Sequence, residues 1–111
     1  MKIKTSELTG PALDWAVAKV DGYDKGWLER QLNNPNPSTR GIPHYSTDWS
    51  DGGPIIEREK MGVEFCEEWH AMRPGEPRFT SGFGPTPLIA AMRCFVASKL
   101  GDKVDVPEEL A

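Results

Sequence analysis

The stretch TPLIAAMRCFVASKLG, residues 86–101, constrains the fold more than any other part of this chain. Leu88, Ile89, Met92, Phe95, Val96 and Leu100 recur at helical spacing and form a broad apolar arc. Ala90, Cys94 and Ala97 fall on the other side and are all small. A helix with one bulky face and one small-residue face is expected to be covered on both. It is either central to the fold or meets a second subunit. Thr86 suits the N-cap, Pro87 the first turn and Gly101 the stop. Lys99 falls within the arc, close enough to the end for its stem to lie on apolar surface while the ammonium stays in water.

A second helix is written near the start. Leu13, Ala16, Val17 and Val20 share one helical face, Thr9 precedes them as a candidate cap, and Gly22 follows. Trp15 lies off that stripe, so it needs a second contact: a loop, a ligand or another chain. Lys2, Ile3 and Lys4 read as a short strand. Residues 23–40 form a loop-rich segment in which Trp27, Leu28, Gln31 and Leu32 allow one or two helical turns, and NNPNPSTRG reads as loop. A short third helix is expected from Pro54, whose missing N–H suits a first helical position, to about Gly62. Val63-Glu64-Phe65 alternates apolar and polar, which predicts a strand. Trp69, Ala71 and Met72 would form its antiparallel partner, followed by a turn at Arg73-Pro74-Gly75-Glu76-Pro77 and a third strand over 78–81. The acidic tail, 102–111, is expected to leave the core after Val104 or Val106.

These elements add up to one compact α+β domain over residues 1–111, with two main helices, one short helix and a small antiparallel sheet. Ten prolines and eleven glycines place much of the rest in turns.

Charge and motif content exclude several chemistries. The net charge is -4 and no basic face is visible, which argues against nucleic acid, since phosphate binding needs cations to displace counterions. No run of about 18 apolar residues is present, so no membrane span is expected. The first ten residues, MKIKTSELTG, lack an apolar secretory core, which points to the cytoplasm. Two cysteines there read as reduced thiols and are too few for a cysteine-rich zinc site. His44 and His70 sit in no HExxH pattern, Ser46, Ser50 and Ser81 in no nucleophile elbow, and Cys66 stands beside Glu67 and Glu68, which blunt it as a nucleophile. Glu57, Glu59, Glu64, Glu67 and Glu68 are numerous enough to contain a close pair, but acid–base work needs one of them buried. No metal or other cofactor is expected.

The segment YSTDWSDGGP, residues 45–54, is the first candidate for a binding site. Tyr45 and Trp49 offer flat faces, Asp48 and Asp51 offer acceptors, and Gly52 and Gly53 allow backbone angles and close approaches closed to other residues. The free N–H groups of the following helix would suit an anion. The two aspartates oppose phosphate unless Arg40, Arg58 or Lys60 compensates. The plainer reading is a capped helix start, with Asp51 as the cap and Trp49 packed on the core. Thr86 could likewise offer a ligand its hydroxyl, although an N-cap is the commoner role for such a residue. Arg93 could bind an anion, or pair with a surface acid. Four tryptophans, Trp15, Trp27, Trp49 and Trp69, are too many for the centre of so small a core. Trp49 and then Trp15 are the ones expected at a pocket or interface.

Three blocks resemble a known family: KTSELTGPALDWAVAKVDG, STDWSDGGPIIEREKMGVEF and GPTPLIAAMRCFVASKLGD. Together they are similar to the NinX proteins of tailed phages and prophages, over nearly the whole chain and least over 23–40. The resemblance implies a non-structural, early-expressed accessory role in a bacterial cytoplasm. It implies no particular activity and carries over no catalytic residue. The expected function is therefore non-enzymatic binding of a host or phage protein. The alternative is holding a nucleotide-like small molecule in a cleft between the 45–53 loop and a helix start, and an enzyme ranks third. The small face of the last helix also suggests a homodimer.

Overall fold

The computed structural model describes residues 1–36, 40–75 and 79–110. The fold is α+β. Among the described residues, four helices stand with two small antiparallel sheets: β1 (Lys2–Lys4), α1 (Gly10–Val20), α2 (Lys25–Leu32), α3 (Trp49–Arg58), β2 (Gly62–Cys66), β3 (Glu68–Arg73), β4 (Thr80–Gly84), α4 (Pro87–Leu100) and β5 (Lys103–Asp105). Short 3-10 turns cover Thr5–Glu7 and Glu108–Leu110.

The helix expected to be central is central. Thr86 caps α4 by accepting from the Ile89 amide, and Gly101 ends it at φ 83°. Leu88, Ala90, Ala91, Met92, Cys94, Phe95 and Val96 are buried around its circumference. The bulky residues join Leu13, Val17 and Ile55 in the core. Burying side chains of this size stabilises by about 1.5–3 kcal/mol each. The small side lies against the three-stranded sheet β2-β3-β4. A Cβ on Gly82 of β4 would stand 2.5 Å from both the Ala90 carbonyl oxygen and the Cys94 nitrogen. Small residues on α4 and glycines on β4 are thus one device, which brings helix and strand backbones together. The ground for expecting a dimer on that face is removed, because the chain's own sheet occupies it.

The sheet registers follow the alternation in sequence. Val63 pairs with Ala71 and Ala71 with Gly82, on the face that meets α4, while Glu64, His70 and Phe83 align on the other face. The expected turn through Glu76 and Pro77, and the expected start of the third strand at Arg78, lie outside the described residues, as do Pro37, Ser38 and Thr39 of the loop.

Two expectations are sharpened and a third is corrected. The one or two helical turns allowed around Trp27–Leu32 are a single helix of eight residues, α2, whose first turn Asp24 closes by accepting from the Trp27 amide at 3.0 Å. The tail stays on the core as far as Val106, the later of the two expected exits. Lys103, Val104 and Asp105 pair with Lys4, Ile3 and Lys2, and both Val104 and Val106 are buried. The N-terminal strand had no partner in the larger sheet, and the tail supplies one.

Third, α3 begins at Trp49, five residues before Pro54. Asp48 is the cap in place of Asp51, so the two glycines lie inside the helix. Gly52 is needed there for another reason. A Cβ on it would collide with the Tyr45 carbonyl oxygen and come within 2.8 Å of Leu88 Cδ2. Pro54 is tolerated because the Ser50 carbonyl that it leaves without an N–H belongs to an exposed residue.

Candidate functional site

The segment leading into α3 folds on itself through its own carboxylates. The Thr47 and Asp48 amides both donate to the His44 carbonyl, at 3.2 and 2.8 Å. Asp51 reaches back to accept from the His44 amide at 2.9 Å. From α1, the buried Asp14 accepts from the Ser46 amide at 2.8 Å. Burial pushes the Asp14 carboxyl up, against the opposing pull of the Ser46 hydrogen bonds and of His44. Asp48 accepts from the Ser50 amide at 2.9 Å and the Ser50 hydroxyl at 2.6 Å, and these bonds hold its carboxyl below the usual range.

Trp49, the first residue of α3, is 56% exposed. Beside it lies a recess of about 240 Å³ walled by Thr47, Trp49, Thr86, Pro87, Leu88 and Ile89. Two helix starts therefore meet at one place: that of α3, closed by Asp48, and that of α4, where Thr86 accepts from the Ile89 amide at 3.1 Å. Thr86 acts as the cap. Thr47, Pro87 and Ile89 were not singled out as site residues in sequence. Two prolines flanking a capping threonine next to an apolar pair was the signal available.

Several expected site residues take other places. Tyr45 is 4% exposed, so it offers no face for stacking, and burial pushes its phenol well above the ordinary range. It packs in the core because Gly52 lets α3 close over its backbone. Asp48 and Asp51 each commit one carboxylate oxygen within the chain, to Ser50 and to the His44 amide. Gly53 faces the Trp49 ring, whose Cε3 would lie 3.7 Å from an added Cβ. The loop thus presents Trp49 and the exposed Asp48 without a second ring from Tyr45.

Trp15 and Arg93 lie elsewhere. Trp15 is nearly buried and borders a groove of about 490 Å³ with Lys19, Tyr23, Leu28 and Pro107, its ring 5.2 Å from the Lys19 ammonium. Arg93 forms no surface ion pair among the described residues. Its Nε donates to the Leu8 carbonyl at 2.8 Å and its Nη1 to the Phe83 carbonyl at 2.9 Å. It borders a groove of about 520 Å³ between the two sheets. Sequence gave no sign of that neighbourhood, because its walls come from both ends of the chain.

His70 stacks on Phe83 with ring centroids 4.4 Å apart and planes 6° from parallel, and His44 is exposed. Among the described residues, no group of three or more His, Cys, Asp or Glu is placed to hold a metal ion. Among the described residues, no helix is long and apolar enough to cross a membrane.

The model of the family described as bacteriophage P22 NinX matches residues 4–99, most of the chain. No curated protein matches it.

Proposed function

The chain belongs to the NinX family, and on that premise we propose that it is a phage accessory protein that works in the bacterial cytoplasm by binding a host or phage protein through the surface around Trp49. The observation that carries this reading is the exposure of Trp49, 56%, beside an apolar recess whose two helix starts are already closed by Asp48 and Thr86. A large ring left in water next to Pro87, Leu88 and Ile89 is the kind of anchor that buries well in a partner. The same features disfavour a phosphate-bearing ligand here. The Ser50 and Ile89 amides of the two first turns already have side-chain acceptors, and Asp48 keeps its negative charge at neutral pH. No nucleophile, base and oxyanion donors converge at the recess, so binding is a better account than catalysis.

The test is affinity capture from phage-infected cells with wild-type protein, Trp49→Ala and Phe65→Ala, followed by mass spectrometry. Phe65 is 63% exposed and serves as a control on another surface. A protein retained by wild type and Phe65→Ala, lost with Trp49→Ala and then rebound as a purified component supports the reading. Equal capture by all three overturns it.

A further inference from the structure

A second groove lies away from Trp49, where β1 and β5 face β4 and α4. It has a volume of about 520 Å³, in the range of small-ligand sites. Three cations border it: Lys4 from β1, Lys103 from β5 and Arg93 from α4. Two carboxylates, Glu68 and Asp102, border it as well. Ser6 and Ser81 add hydroxyls, and Phe83, 49% exposed and backed by the stacked His70 ring, stands at its edge.

Arg93 is the informative member. Its guanidinium is partly buried, yet its partners are the main-chain carbonyls of Leu8 and Phe83, with no carboxylate in ion-pair contact among the described residues. Burial lowers its pKa, and Glu68 attracts it only from a distance. Charges withdrawn from water are ordinarily paired. The two carbonyls fix the guanidinium plane and leave it without an anion.

We propose that this groove binds a nucleoside monophosphate, the phosphate lying among Arg93, Lys4 and Lys103 and the base against Phe83. Planar guanidinium and paired lysines match the charge and oxygens of a phosphate. The net balance of the border, three cations against two acids, suits one phosphate and opposes a triphosphate. Glu68 and Asp102 serve as acceptors for sugar hydroxyls or a ring amino group. The pairing of β1 with β5 builds the site, because it carries Lys4 and Lys103 to the same wall.

The test is isothermal titration of the purified chain with AMP, GMP, CMP and UMP. The matching nucleoside, the matching triphosphate and inorganic phosphate serve as comparisons. Lys4→Gln/Lys103→Gln tests the wall without touching the carbonyls held by Arg93, because both lysines are exposed. At least one monophosphate is expected to bind. Its nucleoside should bind at least tenfold more weakly, and its triphosphate no more tightly. The double variant should weaken binding at least tenfold with an unchanged melting temperature, while Trp49→Ala binds as wild type. The proposal is overturned by any of three results: no monophosphate binding at millimolar concentration, equal binding by the double variant, or inorganic phosphate binding as tightly as the nucleotide. Loss of binding in Trp49→Ala alone would also overturn it, by moving the site to the recess.

Discussion

Arg73 of β3 grips one oxygen of Glu59, with Nε at 2.8 Å and Nη2 at 2.7 Å from Oε1, while Arg58 takes the other oxygen at 3.0 Å. The Glu59 side chain is only 14% exposed, and Arg58 continues to Asp21 at 2.9 Å. Burial alone would raise the Glu59 carboxyl. The hydrogen bonds from Arg58 and Arg73 outweigh it and hold the group below its ordinary 4.5. This network ties the end of α3 to the sheet and to the end of α1.

Glu59→Gln should therefore destabilise the protein by about 1–3 kcal/mol at neutral pH, the range for losing hydrogen bonds to a charged, mostly buried group. A folded-state pKa below the unfolded one means that the stabilisation is present above about pH 4.5 and is lost as pH falls through the folded value. Urea unfolding of both proteins across pH 3–7 checks this. The gap between them should close at the acid end, and a constant gap would show that the charge is not what matters.

Gly82→Ala should be costly, because the added carbon meets backbone atoms of α4, 2.5 Å away at Ala90 and at Cys94, and neither can step aside. A loss of about 2–4 kcal/mol is expected, at or above the usual range for overpacking. Gly62→Ala is the control, since nothing lies within 4 Å of its Cβ. Its unfolding midpoint should stay within about 0.5 kcal/mol of wild type.

Two side chains occupy left-handed backbone: Lys60 at φ 55° and Glu67 at φ 65°. Lys60 follows the last turn of α3, and Glu67 turns the β2–β3 hairpin, both places where glycine is the easier fit. Lys60→Gly and Glu67→Gly should each raise stability by about 0.5–1 kcal/mol, read from thermal unfolding. A drop for either would mean that the side chain makes a contact worth more than the strain.

The two thiols should react very differently. Cys66 is exposed. Cys94 is buried, points its Sγ at the Thr80 carbonyl at 3.2 Å, and burial pushes it up to about 11. Iodoacetamide at pH 8 should add one group per native chain, at Cys66, and two after denaturation, as counted by intact mass. Modification of Cys94 in the native protein would show that α4 separates readily from β4.

Much of the fold was legible in local pattern. The apolar arc of α4, its Thr86 cap and Gly101 stop, the stripe of α1 and the alternation in β2 and β3 are all short-range signals, and each appears where expected. The start of α3 was misread because Asp48 and Asp51 are equally good caps in sequence. Which of them caps depends on His44, whose amide draws Asp51 away. Which ring of the 45–53 segment faces solvent was not legible either. Tyr45 and Trp49 are alike as aromatic residues, but one is interred by the approach of Gly52 and the other is left in water.

By itself, the sequence determined the helix periods, the strand alternation, the acidic balance and the family, because these reside in neighbouring residues and in their order. The tertiary structure alone decided which ring faces solvent, what covers the small face of α4, and that Lys4, Arg93 and Lys103 border one groove. The physical reason is distance along the chain. Backbone contacts such as Gly82 on Cys94, and pairings such as Ile3 with Val104, join residues whose separation leaves no local trace.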